Sequence, residues 1–227
     1  MSDLTAGEQR LQNILGELQG APDISVHAAK PGTVDPGRAD VDAVFAGFAE
    51  ATGVVLHPRL RTCFLRFGRI AARWRLETSP NRLSGEFNVV HLSDVATTEA
   101  PPTDLDSLTP EEQELYREFR VFDDHPESGT GAFAALRLRP DTPNPEIWYH
   151  DFHVGGFKLD IDYCQYLEAL AITKGTIGWQ YLFCDVAFED DDFLEVGDDM
   201  QEMLEVFPRL FPEHDYTDLR ARLEERL

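Results

Sequence analysis

Apolar residues recur along this chain with two periods, and the periods divide it into elements. Leu11, Ile14, Leu15 and Leu18 share one helical face behind a Thr5/Glu8 capping box and ahead of Gly20, which predicts a first amphipathic helix. Residues 21–37 are rich in Pro and Gly and read as a connection with one short strand at 24–27. Val41, Val44, Phe45 and Phe48 face inward on a second helix over 39–52 that Gly53 stops. Leu60, Phe64 and Phe67 are spaced for a further helix over 59–67, ended by Gly68.

The period then changes to two. Ile70, Ala72, Trp74 and Leu76 alternate with Ala71, Arg73, Arg75 and Glu77, the pattern of a half-buried strand, and 86–92 is its hairpin partner across a Ser79-Pro80-Asn81 turn. Residues 93–110 read as an exposed loop. Thr109, Pro110 and Glu112 open a capped helix with Leu115 and Phe119 on its inner face. Strands are expected at 132–140 and 146–154, a helix at 160–175, a strand or extended cover segment at 178–188, and two acidic helices at 198–207 and 217–227. Without any βαβ alternation, this order predicts an α+β fold, a mainly antiparallel central sheet flanked by helices. The expected organisation is an N-terminal helix and connection over 1–37, a domain over 38–187, and an acidic helical extension over 188–227 that packs on it.

A chain of 227 residues, 42% of them hydrophobic, is long enough to bury a core without disulfides or metals. Cys63, Cys164 and Cys184 are odd in number, far apart and set among apolar neighbours, so three reduced core cysteines, as in a protein of the reducing cytosol, are expected. The first twenty residues lack the basic and apolar regions of a signal peptide, and no apolar run approaches the length of a membrane span, which together predict a cytoplasmic protein. Forty-two acids against 20 bases give a net charge of −22. Such a field repels nucleic acid and anionic lipid and steers basic proteins inward.

Candidate chemistry is sparse. No Walker loop, nucleophile elbow or dinucleotide fingerprint occurs, so neither a cofactor nor catalytic residues are expected. His150 and His153 stand three apart, but strand formers surround them and should send them to opposite faces, which defeats chelation by the pair. Residues 188–199 invite a calcium loop, yet counting from Asp190 the sixth position is Glu195 where an EF-hand needs glycine. The reading that remains is a docking patch for a basic protein, formed by Glu189, Asp190, Asp191, Asp192, Glu195, Asp198, Asp199, Glu202 and Glu205. Against that background, 57–82 holds seven arginines and one glutamate, a local balance of +6 that leaves −28 to the rest of the chain. Pairing of these arginines with the acidic C-terminal helices is expected; an anion or partner site is the alternative.

The order of a helix, Leu56 and Pro58, the aromatic-rich Phe64-Leu65 stretch, the turn Gly68, strands carrying Trp74 and Gly85, and a later helix with Asp162, Tyr166, Leu167 and Leu170 resembles the SUKH superfamily. That family groups a fungal regulator of cell-wall synthesis with many bacterial immunity proteins, and the likeness spans 41–187. His57 between Leu56 and Pro58, Phe67 before the turn glycine and a long insert at 93–130 depart from its pattern. The resemblance implies an α+β fold, no catalytic residues and a surface that grips another protein, in bacteria a toxin. It makes an immunity protein against a basic, nuclease-like toxin the expected function. The alternatives are an intracellular scaffold or adaptor and an enzyme built around Tyr149, His150 and His153.

Overall fold

The computed structural model describes residues 4–102 and 108–227. Its fold is α+β: two antiparallel sheets packed by helices. Helix α1 (Ala6–Gly20) starts at the capping box, where Thr5 Oγ1 accepts the Glu8 amide and the Glu8 carboxylate accepts the Thr5 amide. Strand β1 (Ile24–Lys30) is longer than expected and leads through Asp40, which caps with its carboxylate, into α2 (Val41–Thr52).

The helix expected at 59–67 does not form. A 3-10 turn covers Pro58–Cys63 and the backbone is extended from Phe64, although Leu60, Phe64 and Phe67 are all buried. Glu8 supplies the reason. Its fully buried Oε1 accepts the Arg66 amide at 2.8 Å, removing that donor from any helical ladder, and also accepts Arg66 Nε at 2.8 Å. Burial alone would raise the Glu8 pKa, but Arg66 and these amides hold it down at about 2.

Strands β2 (Arg69–Leu76) and β3 (Ser84–Val90) form the expected hairpin and complete the first sheet in the order β1-β2-β3. Trp74 is fully buried, and its Nε1 donates to the Lys174 carbonyl at 2.7 Å. Gly85 faces it across the ladder, where a Cβ would stand 2.4 Å from the indole, so no larger residue fits. The loop expected at 93–110 carries a helix, α3 (Leu92–Thr97), capped by His91 Nδ1; residues 103–107 of that stretch lie outside the described residues.

Helix α4 (Pro110–Arg117) has its capping box, with Tyr116 buried beneath it; Phe119 instead begins β4 (Phe119–Asp124), a strand absent from the sequence reading. Strands β5 (Phe133–Arg137), β6 (Glu146–Asp151) and β7 (Gly155–Lys158) complete a second sheet, ordered β4-β5-β6-β7. A bulge after Val121 turns Asp123 toward β3. Where the sheets meet, carboxylates do the bridging. Asp123 Oδ1 accepts the Asn88 amide at 2.6 Å, Asp124 takes the Asn88 side-chain amide, and Glu86 of β3 accepts the amides of Glu127 and Ser128 beyond β4.

Helix α5 (Tyr163–Thr173) follows its Asp162 cap, and 178–188 holds a buried 3-10 turn, Trp179–Phe183, in place of a strand. Lys174 closes α5 in a left-handed conformation with no exposed surface. Its ammonium donates to the Ala171 carbonyl, lies 2.8 Å from His214 Nε2 and pairs with Glu17 of α1. Two helices finish the chain, α6 (Leu194–Leu210) and α7 (Thr217–Glu224). One apolar cluster runs from Leu11 through Trp74 and Tyr166 to Phe207 and Leu223. No helix among the described residues is long and apolar enough to cross a membrane.

Two of the three cysteines are not reduced: Cys63 and Cys164 form a disulfide between residues 101 apart, and only Cys184 is a free, buried thiol. Cys164 is buried but Cys63 only half-buried, and the fold brings their backbones to a Cα separation of 5.3 Å, within bridging range. The expectation of a reducing compartment loses the support it drew from these residues.

Candidate protein-interaction face

The nine acids of the expected docking patch fall on two consecutive pieces of chain. Glu189, Asp190, Asp191 and Asp192 occupy exposed turns before α6, where the Asp190 amide donates to the Ala187 carbonyl and the Phe193 amide to the Asp190 carbonyl. Phe193 anchors this segment: its ring packs on Tyr181 at 5.0 Å and on Phe157 at 5.7 Å. The helix then starts at Leu194, four residues before the expected start, because Gly197 lets its first turn close on Phe188.

Along α6, Met200, Met203, Leu204 and Phe207 are buried, which turns Glu195, Asp198, Asp199, Glu202 and Glu205 toward the opposite side. Their spacing of three and four places them in adjacent turns, so like charges are neighbours. The effect shows at Asp199. Half-burial, then the charges of Glu202, Glu195 and Asp198, push its carboxyl up to about 6. Glu202 keeps Oε2 buried without a hydrogen-bond partner. None of the nine acids forms an ion pair among the described residues. Leu194 adds an exposed apolar side chain, 49% accessible, to the same segment.

The arginine cluster does not supply the missing bases. Arg59 pairs with Asp162 at 3.1 Å, Arg61 with Asp42 at 2.5 Å, Arg66 with the buried Glu8 and Arg75 with Glu77, while Arg73 donates to the Glu127 carbonyl. The expected pairing with the C-terminal helices is therefore replaced by pairing with acids near the arginines and on α1, α2 and the α5 cap. The basic segment spends its charge on acids of α1, α2, the α5 cap and its own Glu77, and α6 keeps its charge.

The alternative centre around Tyr149, His150 and His153 does not converge. Tyr149 and His150 are buried in β6, where His150 Nδ1 lies 3.0 Å from Tyr116 Oη and burial pushes its pKa down. His153 is exposed in the turn beyond, held by its amide to the Asp151 carboxylate at 2.8 Å. Among the described residues no three His, Cys, Asp or Glu side chains come together as a metal site needs. Sequence reasoning missed Leu194 as an exposed member of the patch and the Cys63–Cys164 pairing, for which a separation of 101 residues leaves no local signal. No protein-family model, curated protein or solved structure matches the chain.

Proposed function

We propose that this chain is a non-catalytic, protein-binding domain of SUKH type, an immunity protein that neutralises a basic toxin by covering its cationic surface. The observation that carries the reading is the run of nine carboxylates over 189–205, none of which forms an ion pair among the described residues, on a molecule of net charge −22. Leaving so many like charges side by side costs stability, at Asp199 on top of the larger effect of burial, and a cationic partner relieves that cost on binding. Long-range attraction speeds the encounter, and Leu194 gives the contact an apolar point among the acids. We place the encounter in the cytoplasm, where a delivered toxin does its damage.

The test is a search for a basic toxin domain encoded beside this chain, followed by assays with it. Co-expression of the chain restores growth, and the D190K/D191K/D192K variant associates with that domain at least tenfold more slowly and with a shallower salt dependence. Unchanged association rates remove the patch from the mechanism. Capture of several abundant cellular proteins, with no toxin among them, turns the reading toward a scaffold or adaptor.

A further inference from the structure

The Cys63–Cys164 disulfide joins the 3-10 turn Pro58–Cys63 to the first turn of α5. It is not sealed inside the protein. Both cysteines line a surface cleft of about 210 Å3, whose other walls include Gly7 and Leu11 of α1, Leu65, and Leu167 of α5. A molecule the size of a small thiol therefore has a route to the bridge.

The two sulfurs stand in unequal surroundings. Cys63 is half-buried, whereas Cys164 is only 7% exposed, so an attacker meets Cys63 first. Cys164 is the second residue of α5, where the unbonded amides of a helix start stabilise a thiolate. Thr62 Oγ1 lies 3.8 Å from its sulfur; its proton goes to the Arg59 carbonyl at 2.8 Å and would have to turn to serve an anion there. The nearby Asp162 carboxylate works against that charge, but Arg59 pairs with it at 3.1 Å. A carbonyl oxygen, which disfavours negative charge, lies near each sulfur, that of Leu60 3.4 Å from Cys63 Sγ and that of Arg59 4.0 Å from Cys164 Sγ, so the closer one stands at Cys63. Access and leaving-group quality thus select the same direction of opening.

We propose that Cys63–Cys164 is an exchange-active disulfide, opened by a small thiol that enters this cleft, attacks Cys63 and expels Cys164. In the first step the incoming thiolate bonds to Cys63 Sγ, the protein S–S bond breaks and Cys164 leaves as a thiolate. In the second step another thiol attacks the small-molecule sulfur of that mixed disulfide and frees Cys63. Two small thiols are oxidised to their disulfide, the bridge is reduced to two thiols, and the protons released by the former end on the latter. Reducing surroundings favour the dithiol, and oxidising ones restore the bridge. Cys184 does not compete, being buried with its thiol pushed up to about 12.

The experiment treats the full chain, purified without reductant, with millimolar reduced glutathione, quenches with N-ethylmaleimide and maps the peptides by mass. The expected intermediate carries glutathione on Cys63 and maleimide on Cys164. The expected end product carries maleimide on both and none on Cys184, with a Tm lowered by about 10 °C because a cross-link over a loop of this length is lost. Glutathione trapped on Cys164, resistance to reduction until denaturant is added, or two free thiols at the outset would each overturn the proposal. The C63S/C164S variant should melt with the reduced protein and ignore glutathione; a glutathione-dependent shift in that variant would trace the response to another group and overturn the proposal.

Discussion

Glu8 and Asp123 are both buried carboxylates, and their surroundings push them in opposite directions. Glu8 faces the Arg66 guanidinium and two amides, and stays ionised down to about 2. Asp123 accepts from the Asn88 amide and from Tyr166 Oη at 2.8 Å, but it has no cation partner among the described residues, and Asp124 and Glu86 lie close. Burial raises it to about 7. A raised carboxyl pKa means that the folded protein holds the proton more tightly than the unfolded chain. Its stabilising effect is complete below about pH 4 and is lost as pH rises through 7, an effect of up to about 4 kcal/mol. Asn at this position keeps an oxygen for the Asn88 amide and has no charge to bury. Urea titrations from pH 4 to 8 should show D123N gaining stability relative to the parent toward high pH. A constant difference across that range would mean that Asp123 does not titrate in the folded state.

At the scale of elements, Gly85 sets the tightest condition. Strand β3 lies beside Trp74 with no room for a methyl group, and the indole is held by its bond to Lys174. G85A should cost about 3 kcal/mol by urea denaturation, with unchanged slope, as overpacking of a rigid ring does. A change below about 0.5 kcal/mol would show that β2 and β3 can separate there at little cost. This hairpin was legible because Ile70, Ala72, Trp74 and Leu76 keep a strict period of two, as α1 and α4 were legible from their capping boxes. Strand β4 was not, because the bulge after Val121 breaks its alternation. The turn at Pro58–Cys63 was misread for a different reason. Leu60, Phe64 and Phe67 have helical spacing and are buried, but a side chain 58 positions away claims the Arg66 amide. The acidic face was readable as composition; its freedom from internal partners depended on where the arginines went, which only the tertiary fold decides.

For the whole molecule, a net charge of −22 with its densest part unpaired makes self-repulsion a standing cost of folding. Screening it should help. Raising NaCl from about 0.05 to about 0.5 M shortens the Debye length from roughly 14 to roughly 4 Å and should raise Tm by about 3 °C. A fall in Tm would mean that the internal ion pairs, such as those of Arg59 and Arg61, outweigh the repulsion. Lys174 connects this large-scale balance to the ends of the chain. A single interior ammonium is gripped from one side by the first helix, through Glu17, and from the other by the segment between the last two, through His214. Losing Glu17 would leave that cation without its counter-charge in a greasy interior, and losing His214 would strip one nitrogen from both the ammonium and the carboxylate, so the two segments depend on each other although 197 positions of chain lie between their contacts.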